Sequence, residues 1–304
     1  MSKFFKALET AERERRQAAG AGPPEAPPAE APRAAVVEPA PAPPAYGAPL
    51  TREASRPQGT WEALLLPPPP GEPGEVDEHL VSLLAPTSPA AEQYRALRLH
   101  VETLRRERGL RAVAVSSPGR GDGKTLSAIN LAGALAQAPE ARVVLVEADL
   151  RHPAVGRALG RPPGPGLASY LLDPAVSLEA VVERPPTGGF AVVLAGPPSA
   201  IPYELLKSPR LAALLAALRE RYDYVVVDTP PVLPYPDVAI LRDLVDGVVL
   251  VVRANHTPRE TVRDALAALG PDRVLGVVFN DDARPAPLAA AAGWRAVLPR
   301  PRIA

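Results

Sequence analysis

The sequence predicts an α/β fold, a doubly wound and mostly parallel sheet, from three observations. Short apolar runs rich in valine recur from residue 110 onward, and helix-forming stretches separate them. A glycine-rich loop that ends in Gly-Lys-Thr follows the first of these runs, at residues 116–125. Before residue 80 the composition changes to proline and alanine. Strands that are apolar throughout and joined by helices are buried on both faces, which is typical of a parallel sheet.

The segment before residue 80 is predicted to lack a core. Sixteen of the 41 prolines fall between Gln17 and Glu75, among alanines and scattered glutamates. Such a composition cannot bury enough apolar surface to offset its ordering entropy. We therefore expect residues 19–79 to be a disordered linker, which as a flexible coil would span on the order of 45 Å.

Residues 1–18 differ from the linker because Phe4, Phe5 and Leu8 recur at helical spacing between charged residues. This pattern predicts a short amphipathic helix, either a docking peptide or a frayed terminus.

Composition excludes several classes of protein. The chain has no cysteine, which rules out disulfides and cysteine metal sites. No apolar run approaches the about 18 residues of a membrane span, and the charged start lacks the apolar core of a signal peptide. A cytoplasmic location is therefore expected. Basic and acidic residues balance at 34 each, which gives no support for nucleic-acid binding.

The elements of the folded part follow in order. Ser88-Pro89 is an N-cap followed by proline at the first helical position, and it predicts a helix through about Arg108. Further helices are expected over residues 202–221 and 258–269. The predicted strands are residues 110–115, 142–147, 190–195, 224–228, 247–252 and 273–279. The folded domain is expected over residues 80–285, with a tail at 286–304.

The loop at residues 116–125 has the composition of a phosphate cradle. Gly119, Gly121 and Gly123 allow positive φ, so that successive N–H groups can point inward at a helix N-terminus. Lys124 would reach the β- and γ-phosphates, and the Thr125 hydroxyl would coordinate Mg²⁺. As a near-surface loop side chain, the lysine is expected to support little of the core. Pro118 stands where the common pattern has its first glycine, so the match to the pattern is imperfect. The strand-loop-helix context nevertheless supports a nucleotide site.

Three carboxylates follow strands at the edge where an open α/β sheet places its ligand crevice. Asp228 closes one strand, where a carboxylate can hold Mg²⁺ through its water shell, or can simply cap a turn. Glu147 and Asp149 stand at i and i+2 and would point to the same side of an extended chain. They could polarise an attacking hydroxyl or fix metal-bound water; the alternative is a solvated loop with an Arg151 ion pair.

In combination these motifs resemble the bacterial tyrosine kinases of capsule and exopolysaccharide synthesis, which belong to the MinD/ParA-like branch of P-loop ATPases. The resemblance runs from about Ser88 to Arg284. It is carried by residues 91–98, 118–125, 147–153, 222–231, 246–253 and 276–280, and the opening residues 1–15 also resemble the start of exopolysaccharide-locus kinases.

The resemblance implies an α/β fold of P-loop NTPase type and an ATP- and Mg²⁺-dependent protein-tyrosine kinase. It implies catalytic roles for the loop lysine and the carboxylates, Lys124, Glu147, Asp149 and Asp228. It implies nucleotide binding by Gly119, Gly121, Asp122, Gly123, Lys124, Thr125, Leu126 and Asn280, the last at the adenine, and Mg²⁺ binding by Thr125 and Asp228.

The resemblance also implies partners. Glu92, Arg95 and Arg98 match a helix that builds a homo-oligomeric ring, whereas their spacing alone indicates one helix face, usually solvated. The implied activator is the cytoplasmic tail of a membrane polysaccharide co-polymerase, or chain-length regulator, which would recruit the protein to the inner face of the membrane.

The sequence departs from the family pattern in two places. Glu147 stands where the second acidic motif normally begins with aspartate. No tyrosine follows Tyr235, whereas the family carries a C-terminal tyrosine cluster that it phosphorylates in trans. The acceptor would then be Tyr46 or another protein. One alternative is an ATPase switch without kinase activity that binds and regulates a membrane polysaccharide co-polymerase. The other is a positioning ATPase of the ParA/MinD type, which Gly119 disfavours because those proteins carry a signature lysine there.

Overall fold

The computed structural model describes residues 74–282, which form a seven-stranded sheet with helices on both faces. The predicted helix at residues 1–18, the linker up to residue 73 and the tail at 286–304 lie outside the described residues. Within residues 74–282 no helix is both long and apolar enough to cross a membrane.

The strands in chain order are β1 Ala112–Ser116, β2 Val143–Glu147, β3 Val182–Glu183, β4 Ala191–Val193, β5 Tyr224–Asp228, β6 Gly247–Arg253 and β7 Val274–Asn280. Their order in the sheet is β3-β4-β2-β5-β1-β6-β7. Every neighbouring pair is parallel except β3 and β4. The doubly wound, mostly parallel sheet predicted from the valine-rich runs is confirmed.

The α-helices are α1 Val81–Leu84, α2 Pro89–Arg108, α3 Lys124–Ala136, α4 Val155–Ala158, α5 Leu167–Leu172, α6 Pro202–Leu206, α7 Pro209–Arg221, α8 Asp237–Leu244 and α9 Arg259–Leu269. Helix α2 begins as predicted, since the Ser88 hydroxyl accepts from the Ala91 N–H at 3.2 Å. The single helix expected over residues 202–221 is two helices. Ser208 caps the second, and Pro209, its first residue, has no N–H to continue the first.

Two cores lie on opposite faces of the sheet because side chains alternate along each strand. On β5, Val225 and Val227 face the core that contains Leu211, Leu214 and Leu218 of α7. Val226 faces the other core, with residues of α2 and α3. All five residues of β5 are buried, as expected for a strand covered on both sides.

The segment that enters the fold packs on α3. The Asn130 carboxamide accepts from the Ser82 N–H at 2.8 Å and donates to the His79 carbonyl at 2.9 Å. Gly133 leaves room for this segment, since a Cβ there would lie 2.4 Å from Leu83 Cδ1. The Asp77 N–H also donates a hydrogen bond to the Ala158 carbonyl at 2.9 Å. Ordered backbone contacts thus begin a few residues before the expected start at 80.

Candidate active site

The site lies where the central strands β2, β5 and β1 end side by side. Asp228, the last residue of β5, pairs in register with Glu147 of β2 and with Val115 of β1. The loops that leave these three strands, residues 117–123, 148–154 and 229–236, therefore meet at one edge of the sheet. This is the crevice in which α/β sheets bind ligands.

The phosphate loop is braced by Asp122, which is 3 % exposed. Its Oδ2 accepts from the Gly119 N–H at 3.1 Å, and its Oδ1 accepts from the Thr257 hydroxyl at 2.6 Å. The loop is thereby held from within and from the segment after β6. Sequence reasoning placed Asp122 in the nucleotide site but missed Thr257, because residues 135 positions apart carry no shared local pattern.

The glycines of the loop have different roles. Gly121 and Gly123 adopt φ of 84° and 94°, which favour glycine, but Gly119 has no positive φ, so that expectation was wrong. Its N–H is instead drawn to the Asp122 carboxylate. Gly123 is also closely approached, because a Cβ would lie 2.1 Å from Asn280 Nδ2 and the Asn280 carboxamide would have to move away from the loop.

Asn280, at the end of β7, packs against the loop. Its Nδ2 donates to the Asp122 carbonyl at 3.0 Å. Leu126, in the first turn of α3, is half-buried. Asn280 thus contacts the loop and Leu126 follows it in the chain, and their roles in nucleotide binding stay predictions.

Lys124 lies among buried carboxylates. Its Nζ is 2.8 Å from Asp149 Oδ2 and 3.6 Å from Asp228 Oδ1. The lysine side chain is 12 % exposed, and the two carboxylates are 2 % and 0 % exposed. Burial alone would lower the pKa of Lys124, but the charges of Asp228 and Asp149 outweigh it and the net shift is upward. The expectation of a near-surface lysine was wrong; the ammonium is the counter-ion of the site.

Asp228 and Thr125 form a site that fits a magnesium ion. The Thr125 hydroxyl donates to Asp228 Oδ2 at 2.8 Å, while Oδ1 has no hydrogen-bond partner among the described residues. Burial raises the pKa of Asp228 to about 6, opposed by the Lys124 charge and the Thr125 hydrogen bond. A buried carboxylate oxygen without a hydrogen bond is costly, and metal-bound water would satisfy it.

No cluster of three or more acidic or histidine side chains that could cage a metal occurs within residues 74–282. Mg²⁺ at phosphate sites needs none, since it takes one or two protein ligands and completes its shell with phosphate oxygens and water.

Glu147 and Asp149 are separated rather than paired. Glu147 Oε1 accepts from the N–H groups of Ala154 at 2.5 Å and Val155 at 2.6 Å, and Oε2 accepts from Ala195 N–H at 2.9 Å. Burial raises the pKa of Glu147 to about 7, opposed by these three donors. Asp149 instead faces Lys124. β2 ends at Glu147 and Asp149 lies in the loop that follows, so the two carboxylates have different partners.

The solvated-loop alternative is also wrong. Glu147 and Asp149 are 2 % and 1 % exposed, and Arg151 pairs with neither. Its guanidinium binds both oxygens of Asp237, at 2.6 and 3.0 Å, and lies over the Tyr235 ring at 4.4 Å. This contact joins the loops after β2 and β5. Sequence reasoning missed Asp237, whose position after Pro236 looks like an ordinary helix start.

Glu92, Arg95 and Arg98 are not brought to this site. Arg95 pairs with Glu92 and donates to the Pro86 carbonyl at 2.8 Å. Arg98 pairs with Glu102 at 2.6 Å and donates to the Ala134 carbonyl near the end of α3 at 3.0 Å. Each arginine therefore already has partners within the chain.

The parallel sheet, the phosphate loop after its central strand β1 and the aspartate at the end of neighbouring β5 define a P-loop nucleotide-binding protein. No protein-family model matches the chain. It is 34 % identical to tyrosine-protein kinase YwqD of Bacillus subtilis (strain 168) over 207 residues, which cover 67 % of this chain and 86 % of YwqD. The chain belongs to the bacterial tyrosine kinase family.

Other relatives are longer. The chain is 34 % identical over 201 residues to the succinoglycan biosynthesis transport protein ExoP of Rhizobium meliloti (strain 1021), which cover 64 % of this chain and 25 % of ExoP. It is 33 % identical over 205 residues to the putative tyrosine-protein kinase EpsB of Ralstonia nicotianae, covering 67 % of this chain and 27 % of EpsB. The chain thus spans about a quarter of these two proteins.

Among solved structures, the kinase domain of Escherichia coli tyrosine kinase ETK aligns with a TM-score of 0.63 and 26 % identity, covering 71 % of this chain and 85 % of that domain. The predicted family, the P-loop fold class and the class of enzyme, an ATP-using protein of tyrosine-kinase type, are confirmed.

Proposed function

We propose that this protein is an ATP- and Mg²⁺-dependent protein-tyrosine kinase that regulates exopolysaccharide or capsule synthesis. The observation that carries the proposal is the convergence of Lys124, Asp149 and Asp228 behind a glycine loop, with Nζ 2.8 and 3.6 Å from the two carboxylates. Family membership and the names of YwqD and ExoP support the tyrosine and the polysaccharide parts of the proposal.

The loop and lysine would bind the nucleotide. Positive φ at Gly121 and Gly123 turns backbone N–H groups toward a bound phosphate at the start of α3. Lys124 would leave the carboxylates and reach the β- and γ-phosphates. Thr125 and Asp228 would hold the metal, Thr125 through its hydroxyl and Asp228 through water. Bound Mg²⁺ would neutralise the charge on the phosphate oxygens.

Asp149 would accept the phenolic proton of the acceptor tyrosine. Its Oδ1 accepts from the His152 N–H at 3.0 Å, which fixes the carboxylate, and its Oδ2 is free to act once the lysine turns to phosphate. The tyrosyl oxygen attacks the γ-phosphorus, the bond to the bridging oxygen breaks, ADP leaves, and the phenolic proton passes to Asp149.

The acceptor and partners extend the proposal. The acceptor would be Tyr46 of a neighbouring copy or a tyrosine of another protein. The activating partner is the cytoplasmic tail of a membrane polysaccharide co-polymerase, which would hold this protein at the inner face of the membrane. Glu92, Arg95 and Arg98 would form the ring interface, after exchanging some of their contacts within the chain.

A second candidate is an ATPase switch without kinase activity. The observation that favours it is Glu147, whose carboxylate is occupied by three backbone N–H groups at the position where the family motif normally begins with aspartate. The positioning-ATPase alternative is not retained, because the chain belongs to the tyrosine kinase family.

The test is phosphotyrosine formation by the purified full chain with ATP and Mg²⁺, with and without the cytoplasmic tail of a membrane partner. Release of ADP is measured in the same samples. Phosphotyrosine that disappears in Lys124→Met supports the kinase, provided that the variant is folded under the assay conditions. ADP release without phosphotyrosine on the chain or the partner would favour the switch. The absence of both ADP release and phosphotyrosine would refute both candidates.

A further inference from the structure

We propose that Glu147 is a positioning residue: it fixes the loop at residues 148–154, which carries Asp149, and takes no direct part in phosphoryl transfer. The proposal rests on the proposed function for its kinetic test, though its structural test does not. It leaves Asp149 as the single reactive carboxylate of the second acidic motif.

The Glu147 carboxylate has little capacity left for a substrate or metal. A carboxylate offers about four acceptor positions, and backbone N–H groups of Ala154, Val155 and Ala195 occupy three of them at 2.5–2.9 Å. The residue is 2 % exposed. A tyrosyl hydroxyl or a hydrated metal ion would have to displace these donors, which would then be buried without a partner.

The three donors lie at structurally distinct places. Ala154 and Val155 stand where the loop ends and α4 begins, so that Oε1 closes the loop on the strand from which it started. Ala195 follows β4, so that Oε2 ties the end of β2, where the loop starts, to the segment after the neighbouring strand. Between Glu147 and Ala154 the Asp149 Oδ2 is held 2.8 Å from Lys124 Nζ. Fixing the ends of the loop therefore fixes the carboxylate that faces the phosphate loop.

The length of the Glu147 side chain, and not its charge alone, allows the three hydrogen bonds. The donors lie on both oxygens of the carboxylate, two on Oε1 and one on Oε2. An aspartate at position 147 would end about 1 Å short of them and could not keep both sets of hydrogen bonds. A displacement of about 1 Å at reacting groups can cost about 100-fold in rate. A lower kcat in Glu147→Asp would fit a catalytic role as well as a positioning role, so the protection of the three amides, which depends only on the positioning role, must separate the two.

The experiment compares Glu147→Asp, Glu147→Gln and Asp149→Asn with wild type, and uses Glu179→Gln as a matched surface control. Glu179 is 64 % exposed and pairs with Arg221, and neither residue contacts Glu147, Asp149 or Lys124. Amide hydrogen exchange of the full chain without nucleotide is followed at Ala154, Val155 and Ala195. Steady-state kcat and the KM for ATP are measured at a temperature at which every variant is folded.

We expect Glu147→Asp to lose about tenfold or more of the protection at these three amides, with exchange elsewhere unchanged. Glu147→Gln should lose it at Ala195, because its carboxamide oxygen can still accept from Ala154 and Val155, whereas its NH2 group cannot accept from Ala195. The kcat of both Glu147 variants should fall about 10- to 100-fold with KM for ATP within about threefold of wild type. Asp149→Asn should lower kcat while keeping the protection, and Glu179→Gln should match wild type in both measurements.

Two results would overturn the proposal. In the first, Glu147→Asp retains or raises kcat, so that charge suffices. In the second, protection is unchanged at all three amides in a folded Glu147→Asp protein, or at Ala195 in a folded Glu147→Gln protein, whatever the activity of the variant. If wild type forms no phosphotyrosine, the proposed function fails, but the exchange measurement still decides whether Glu147 holds the loop.

Discussion

Replacing Lys124 by methionine should destabilise the protein as well as stop ATP turnover. The ammonium is the close counter-charge of two carboxylates that are 2 % and 0 % exposed, at 2.8 and 3.6 Å. Methionine preserves the length and the packing of the lysine stem, so the change removes mainly the charge. Two acidic groups would then stay buried with one hydroxyl and one backbone donor between them.

The size of the loss follows from the burial of the site. Removing one partner of a buried ion pair costs about 3–5 kcal/mol, because the remaining charge is left uncompensated. Protonation limits the penalty here. The pKa of Asp228 is already about 6 in the presence of the lysine and rises further without it. We therefore expect Lys124→Met to lower the free energy of unfolding by about 3 kcal/mol at pH 7.5, and by less toward pH 5.

The assay is urea unfolding of the full chain without nucleotide, followed by circular dichroism. Asp149→Asn is the matched partner in a double-mutant cycle, since removing this carboxylate should recover part of the stability lost in Lys124→Met. A Lys124→Met protein within about 0.5 kcal/mol of wild type at pH 7.5, or a cycle without coupling, would show that the lysine does not compensate these carboxylates.

Three further outcomes are expected. Gly123→Ala should abolish binding of a fluorescent ADP analogue and cost more stability than Gly121→Ala, because both have positive φ but a Cβ meets open space only at Gly121; equal losses would contradict the steric argument. The pKa of Glu147 is raised from 4.5 to about 7, so between pH 5 and 8 the free energy of unfolding of wild type should fall by up to about 3 kcal/mol relative to that of Glu147→Gln, measured by urea unfolding. A difference between the two proteins that does not change with pH would refute this. Reversing Arg95 and Arg98 to glutamate should remove higher oligomers in light scattering, whereas a wild type that stays monomeric with ATP and partner would exclude the interface.

The sign of the Glu147 prediction follows from linkage. A carboxyl group whose pKa is higher in the folded than in the unfolded chain binds its proton more tightly when folded. The stability that it contributes is complete below pH 4.5 and is lost as the pH rises through about 7. Glutamine does not titrate, and the other titrating groups are shared by the two proteins, so the difference between them isolates this group.

The elements and the phosphate loop could be predicted because they depend on local patterns. Apolar strands, the Ser88 cap and the Gly-Lys-Thr ending are each contained in a few neighbouring residues. Asp228 was also accessible, since the end of a buried strand is visible in the sequence and the sheet then fixes its edge. Nothing in the structure or the comparisons tests the roles of the individual site residues, which stay predictions.

The contacts that set the chemistry of the site were not accessible. Which partners Glu147 and Asp149 take depends on the loop after β2 and on the neighbouring strands, which the local sequence does not reveal. The pairing of Arg151 with Asp237 and the brace from Thr257 to Asp122 join residues 86 and 135 positions apart. Only the folded sheet brings these residues together, so no local pattern could have indicated them.

The way in which residues 79–83 lie on α3 determines how far the protein can be shortened. A chain that started at Ser88 would keep every strand and the whole phosphate loop. It would nevertheless lose the partners that His79 and Ser82 provide for the buried Asn130 carboxamide, and it would open a hollow beside Gly133 where Leu83 packs. Both defects would fall on the helix that begins with Lys124 and Thr125. Truncated versions intended for enzymology should therefore begin at or before Asp77.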